Sequence, residues 1–413
     1  MNDKNHWRVV TPVTWPPPPP EMSVSTWGEI QECPRRWALS RAEYPMLWSG
    51  RGYPPKLQVA SLAGSVVHLA LEMIAKQIAR AGVCSMNDPG ATLVLRELGG
   101  YTCVVEGCIE RILKHYVDNP RADTLMEHAR RTLHGQVPAL RARVQSMLNR
   151  LRLSKSASLP STASTPKPSG PPVRLPLRNG IYPEVDVLAR SIGWKGTVDL
   201  LVLNDEACEI TDFKTGAADD AHKFQVRAYA VMWRLDDEFN PSGRLANRLV
   251  LAYETHDVDV AAPNASEIDD LGRDLLARRL SAEAALAARP PSAHPNADTC
   301  RYCGVRQLCD AYWASATQVV SDDRRFGDIE LRITGRHGPL SWDGEVVRAR
   351  DLPPKTPALL RLKENHEFKK GTRVRVLDGA IARDPEDDAA PAVVTLGVLS
   401  EAYHKLPDDL GRQ

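Results

Sequence analysis

Two short runs carry residue types from which phosphodiester chemistry can be built. Asp199 closes Lys195-Gly-Thr-Val-Asp199, and thirteen residues later comes Asp212-Phe-Lys214-Thr-Gly216. Two carboxylates offer hard oxygen ligands to Mg²⁺ or Mn²⁺. A lysine two residues beyond one of them points to the same side of a β-strand, where it can reach the same phosphate or the attacking water. The set suits metal-dependent cleavage of a phosphodiester.

Other residues can complete such a site. His68 and Glu72 lie four apart on a helical pattern and share a face, so His68 can add a nitrogen ligand if that helix packs over the strand ends. The Phe213 carbonyl, between Asp212 and Lys214, is a further candidate ligand, and Glu184 is a candidate carboxylate for a second ion. Gln225 and Tyr229 are also i and i+4, placed to face a cleft and hydrogen-bond a phosphate or an ordered water. Arg227 projects elsewhere, toward surface charge. Each residue alone has an ordinary explanation as a strand end or helix position; their joint order points to a functional set.

The eight cysteines stand at 33, 84, 103, 108, 208, 300, 303 and 309. Cys300, Cys303 and Cys309 form C-x₂-C-x₅-C, and Cys33, in Cys33-Pro-Arg-Arg-Trp37, supplies a distant fourth thiolate. A soft four-sulfur site holds either Zn²⁺ or an iron–sulfur cluster, and spacing alone leaves both open. Cys84, Cys103, Cys108 and Cys208 are expected in packing.

The elements that must position these groups follow from periodicity. A hydroxyl cap at Ser25 opens a short helix into Cys33. Apolar positions 66, 69, 74 and 78 predict a helix over 62–79, and 104–151 reads as largely helical with a break or start at Pro138. Short β-branched runs then predict strands at 185–189, 197–203 and 208–213, the last two joined as a hairpin by Asn204-Asp205. A helix over 221–234, a strand over 250–254 and a helix capped at Ser266, packed through Leu271, Leu275, Leu276 and Leu280, complete this part. Five strands punctuated by glycines are expected beyond Val320, consistent with a small barrel of the oligonucleotide-binding kind, with an acidic loop from Asp384 to Asp388. Trp342, Arg348, Arg350, Arg361, Arg373 and Arg375 are its candidate contacts for a single strand.

Composition bounds the partners. Charged residues make up 25% of the 413 and the net charge is +1, so a nucleic-acid surface must be a local patch. Pro16 to Pro20 suit an exposed extended arm rather than a signal peptide, and no stretch of about 18 apolar residues is evident, so the expected location is cytoplasmic without membrane contact.

In this order, the motifs Cys33-Pro-Arg-Arg-Trp37, Gly64-Ser-Val-Val-His68, Gly196-Thr-Val-Asp199, Asp212-Phe-Lys-Thr-Gly216, Gln225 through Tyr229 and Cys300/Cys303/Cys309 resemble the PD-(D/E)XK nuclease superfamily. They resemble in particular its RecB-like iron–sulfur branch, which includes exonucleases associated with CRISPR adaptation and the nuclease domain of AddB-type repair subunits. The resemblance implies a metal site of His68, Asp199, Asp212 and the Phe213 carbonyl, with Lys214, Gln225 and Tyr229 completing the catalytic set. It also implies a [4Fe–4S] cluster on Cys33, Cys300, Cys303 and Cys309 rather than zinc.

The expected fold class is α/β, a restriction-endonuclease-like core with a helical N-terminal region tied by the cluster, plus a small C-terminal all-β, OB-like domain. Expected boundaries are 1–22 arm, 23–154 helical region, 155–176 Ser/Pro-rich linker or insertion, 177–319 nuclease core and 320–413 β-rich domain. The expected activity is Mg²⁺- or Mn²⁺-dependent exonucleolytic cleavage of single-stranded DNA or DNA ends in repair, recombination or mobile-element defence, with a helicase or defence-system protein as candidate partner. The alternatives are a structure-specific endonuclease, a non-catalytic DNA-binding scaffold subunit and, lowest, a zinc-stabilised interaction protein.

Overall fold

Apolar spacing changes from a helical to a strand period near residue 180, and the backbone changes with it. The computed structural model describes residues 8–48, 51–83, 85–123, 125–151, 174–315, 318–321, 325–364, 366–384, 386–387 and 389–405. Residues 1–7 of the arm, Cys84, the Ser/Pro-rich segment up to residue 173 and positions 385 and 388 of the acidic loop lie outside them. The first helices are α1 (Val24–Glu32), α2 (Pro34–Arg41), α3 (Val59–Arg80), α4 (Pro89–Glu97), α5 (Gly100–Lys114), α6 (Met126–Gly135) and α7 (Val137–Arg150). Next come β1 (Gly180–Ala189), β2 (Trp194–Leu203), β3 (Cys208–Lys214), α8 (Asp220–Leu235), β4 (Arg248–Tyr253), β5 (Asp257–Val260) and α9 (Ala265–Ala285). Short helices α10 (Ala297–Arg301) and α11 (Asp310–Ala314) flank a 3₁₀ turn at Arg306–Leu308. The chain ends in β6 (Phe326–Gly338), β7 (Ser341–Ala349), β8 (Pro357–Arg361), β9 (Arg373–Ala382), β10 (Ala392–Thr395) and β11 (Glu401–Lys405).

Strands β1 to β5 form one sheet in sequence order. The β2–β3 hairpin is antiparallel, its turn held by the Asn204 side chain accepting from the amides of Glu206 and Ala207. The β3 and β4 strands are parallel, joined across one face by α8. That face packs α8, α9 and α1 through residues such as Trp194, Leu201, Ile210 and Trp233. The other face packs α3, α5 and α7 against Ile181, Leu200, Val202 and Phe213. The result is a sheet with helices on both sides.

One local break sets the site. The β1–β2 register runs from Pro183 opposite Leu200 to Val185 opposite Val198 and skips the pair between them, Glu184 and Asp199. Glu184 has φ +52°. On either side of this break, side chains separated by an even number of residues face different layers: Ile181 and Leu200 meet α3, whereas Val185 and Val198 meet α8. A glutamate held in left-handed backbone carries strain, and such strain gathers at functional sites.

Three sequence expectations shift. The long helix is α3, whose length and composition would suffice to cross a membrane, contrary to the expectation that no such stretch exists. Its apolar character has a local cause, because Val66, Val67, Ala70, Leu71, Ile74 and Ile78 are buried in the core. The α9 cap is Asn264, in a capping box with Glu267, rather than Ser266. Starting there, its buried face is Ile268, Gly272, Leu275 and Ala282, and Leu276 and Leu280 are exposed. Among the packing cysteines, Cys108 and Cys208 are buried but Cys103 is exposed.

Beyond residue 325, β6, β7, β8, β10 and β9 form a closed ring, with β8 and β10 parallel and β9 pairing back onto β6. A sixth strand, β11, pairs with β9 outside that ring. Trp342 is 5% exposed in the barrel core, and Arg375 is 1% exposed in ion pairs with Glu330 and Asp310. Both are thereby removed from the candidate strand-contact set. The described part of the N-terminal arm is extended and bonded: the Val9 amide donates to the His404 carbonyl, Val13 to Glu43, and Met22 to Gly193.

Candidate active site

The C-terminal end of β3 brings most of the chemistry together. Asp212 and Lys214 share one side of the strand, with Lys214 Nζ 2.7 Å from Asp212 Oδ2. Lys214 also donates to Gln225 Oε1 at 2.8 Å, and Gln225 Nε2 donates to the Tyr229 hydroxyl at 2.7 Å. One polar chain therefore runs from β3 to the third turn of α8. On neighbouring β2, Asp199 Oδ2 accepts the Phe213 amide at 2.6 Å, which ties the end of β3 to the middle of β2. His68 Nδ1 reaches to 3.8 Å from the same oxygen from α3.

Two close approaches explain Gly64 and Gly196. A Cβ on Gly64 would stand 2.9 Å from Thr215 Oγ1, so only glycine lets α3 lie against the loop after β3 and deliver His68 one turn later. A Cβ on Gly196 would stand 2.6 Å from Tyr229 Cε1. Gly196 thus seats the Tyr229 ring, and with it Gln225.

His68, Glu72, Glu184, Asp199 and Thr215 line a cleft of about 540 Å³ between α3 and the sheet. Asp212 lies deeper, 2% exposed. Gln225 and Tyr229 also border a second groove of about 500 Å³, with Ser23, Lys195 and Thr197 on its walls.

The electrostatics are those of an undercompensated acidic site. Burial, and then the Asp212 charge, raise Asp199 well above the usual carboxylate range. Burial also raises Asp212, against the pull of Lys214. Glu184 is pushed up to about 7 by burial and then by Glu72, with Lys76 opposing. Burial and Lys214 push His68 down to about 4, leaving its imidazole neutral and able to act as a ligand at neutral pH. Apart from the Lys214 ion pair, Asp212 Oδ2 is a buried oxygen without a hydrogen-bond donor. A divalent cation fits this donor set: hard oxygens, one neutral nitrogen and carboxylates lacking counter-charge. Among the described residues, no group of three or more His, Cys, Asp or Glu is gathered about a single ion position.

The four spaced cysteines also meet. Cys33 ends α1 and precedes Pro34 at the start of α2, while Cys300, Cys303 and Cys309 surround the short turns near residue 306. All four are buried free thiols lining one small space, together with Arg35, Arg36 and Arg306. Burial pushes the Cys303 thiol up to about 12 and raises Cys300 and Cys309. The donor set suits a soft metal group, and the arginines would offset the charge of ligated thiolates.

His222 was not anticipated. It is three residues before Gln225 on α8, hydrogen-bonds Tyr253 at 3.0 Å and feels the charges of Lys214 and Asp212. Its i, i+3 relation to Gln225 was the available signal. Arg227 points away, as expected, with its guanidinium 3.5 Å from Glu267.

A sheet whose strand ends carry spaced acids and a lysine, flanked by helices, defines a nuclease-type α/β protein. The PD-(D/E)XK nuclease superfamily profile matches residues 21–310, well over half of the chain, and the chain belongs to that superfamily. Membership supports hydrolytic potential and interaction with nucleic acid, and nucleases of this superfamily typically use a divalent metal ion. No curated protein matches the chain. A solved structure described as "Structural mimicry for functional antagonism" is similar at 12% identity over 49% of this chain and 79% of that one, with a TM-score of 0.15, too low to carry any argument.

Proposed function

We propose that this chain is a Mg²⁺- or Mn²⁺-dependent DNA exonuclease of the RecB-like iron–sulfur branch, acting on single strands or DNA ends. The observation that carries the reading is the trio of buried Asp212 and half-buried Asp199 and Lys214, with Lys214 the one ion-pair partner of Asp212 Oδ2 among the described residues and both carboxylates raised. His68, Asp199, Asp212 and the Phe213 carbonyl hold the ion, with Glu184 at the same cleft. The bound ion supplies the positive charge that phosphodiester cleavage requires and acidifies the attacking water. Lys214 orients that water and balances charge on the phosphorane-like transition state. Gln225, held between Lys214 and the Tyr229 hydroxyl, presents its amide to the phosphate.

Cys33, Cys300, Cys303 and Cys309 hold a [4Fe–4S] cluster in a mainly structural role, bracing the helical region against the end of the nuclease core. Four buried thiols about one arginine-lined space support this, and the preference for a cluster over zinc rests on the resemblance to the iron–sulfur branch. The same reading keeps the domain boundaries near 22, 154, 176 and 319, the barrel as an OB-like module, a cytoplasmic setting, and a helicase or defence-system partner in repair, recombination or mobile-element defence.

The test is anaerobic purification followed by digestion of 5′- and 3′-end-labelled single-stranded and duplex DNA, beside Asp212→Ala. Loss of cutting with fold and cluster intact is expected. Equal cutting by the variant would overturn the site, and uncut DNA with fully metal-loaded protein would favour a scaffold.

A further inference from the structure

The β3 strand has two neighbours: β2, carrying Asp199, on one side, and β4 on the other, where Tyr253 is the register partner of Lys214. Three rings assemble there. The His256 ring stacks on Tyr253 with centroids 5.2 Å apart and planes at 14°, and His222 packs on Tyr253 at 5.9 Å with its Nδ1 3.0 Å from the hydroxyl. Tyr253 is 5% exposed, whereas His256 is exposed.

The turn that carries the Tyr253 and His256 rings is braced. The Tyr253 amide donates to the His256 carbonyl at 2.9 Å, closing the β4–β5 turn. Ser146 and Arg150 of α7 donate to the Glu254 carbonyl at 2.7 and 3.1 Å, and Arg150 also reaches the Tyr253 carbonyl. Arg143 pairs with Glu254 at 3.0 Å. A braced turn therefore displays a flat ring to solvent, beside the strand that ends in Lys214, and the outer face of that ring takes no part in the core.

We propose that the His256 face, backed by Tyr253 and His222, receives an unpaired nucleobase of the strand whose phosphate lies at Lys214. This rests on the nuclease reading. Stacking on a preorganised ring is tolerant of base identity, because every base has a π-face, and the ordering cost is small because the turn is already fixed. A base within a duplex is stacked and paired, so the site selects single strands or frayed ends.

The test measures binding in the Asp212→Ala background, where no cutting confuses the signal. Fluorescence anisotropy would compare a labelled oligothymidylate with the same strand carrying a run of abasic sites, for the parent, His256→Ala and His256→Phe. The expected result is a loss of affinity of about five- to a hundredfold for His256→Ala, a similar loss on removing the bases, and recovery in His256→Phe, which keeps the stack without the imidazole. Equal binding by parent and His256→Ala, or indifference to abasic sites, would overturn the platform and leave the nuclease reading standing. Failure of every form to bind any strand would overturn the nucleic-acid reading itself.

Discussion

Glu401 and Asp212 are about equally buried, at 4% and 2% exposed, yet the molecule treats them oppositely. Glu401, on β11, accepts two parallel hydrogen bonds of 2.9 Å from Arg121, and Lys56 stands 3.7 Å away. The Arg121 guanidinium outweighs burial and holds the Glu401 carboxyl down at about 2. Around it, Arg306 pairs with Asp328 and Asp378, and Arg375 with Asp310, so the barrel is sealed to the cysteine-bearing lobe by compensated charge. Asp212 has Asp199 as a charged neighbour and one lysine, and both carboxylates are raised. A buried acid with a matched guanidinium is architecture; a buried acid left short of positive charge is a place where a cation can act.

Replacing one carboxylate by its amide in each region gives opposite signs. Asp199→Asn keeps an oxygen for the Phe213 amide but removes a charge the metal-free protein holds at a cost. Cleavage should fall by about 10³-fold or more in end-label assays, on the order of 4 kcal/mol of lost transition-state stabilisation, while metal-free stability in urea rises. Glu401→Gln strands the Arg121 charge in the interior, and denaturation should show a loss of about 3–5 kcal/mol. Equal and same-signed stability changes would dissolve the distinction between the two regions.

These regions also differ in how far the sequence revealed them. Asp212 with Lys214, and Gln225 with Tyr229, were legible from local spacing, i to i+2 on a strand and i to i+4 on a helix, whereas His68 and Asp199 joined them through the order of motifs that resembles the nuclease superfamily; the structure brings all six together about the end of β3. The barrel strands were legible from β-branched runs between glycines. The Arg121–Glu401 pair was not, because 280 residues separate its members and no local period reports a partner. The short β11 strand, which carries Glu401, was missed with it. The flip at Glu184 was invisible for another reason: φ +52° is unexpected for glutamate, so no residue preference announces it. His222 was overlooked despite its i, i+3 relation to Gln225, because its partner Tyr253 comes from β4, 31 residues further on.

Acid separates the regions a second way. Glu401 has a folded-state value of about 2, below its ordinary 4.5, so its contribution is present above pH 4.5 and is lost as pH falls toward 2. That loss amounts to about 3 kcal/mol. Glu184, at about 7, runs in reverse: its charge costs stability fully above pH 7, and the cost fades as pH falls toward 4.5. Thermal melts with and without Mn²⁺ should show a larger metal-induced rise at pH 8 than at pH 6, since protons and metal compete for the same oxygens. A rise independent of pH would place the ion elsewhere.

Lys76 offers the finest adjustment, because beside Glu184 it is a partial counterpart to Arg121. Its ammonium is 2.5 Å from Glu72 and lowers Glu184 against burial and the neighbouring acids. It is also 38% exposed, so water screens much of its influence, unlike the fully enclosed Arg121 guanidinium. Lys76→Met keeps the helix and the aliphatic stem while deleting the charge. The pH midpoint of the Mn²⁺-induced stabilisation should then move upward by a fraction of a unit, because Glu184 gives up its proton less readily, with global stability little changed. An unmoved midpoint would mean that Glu184 does not share the ion's cleft electrostatically, and would confine the undercompensated region to Asp199 and Asp212.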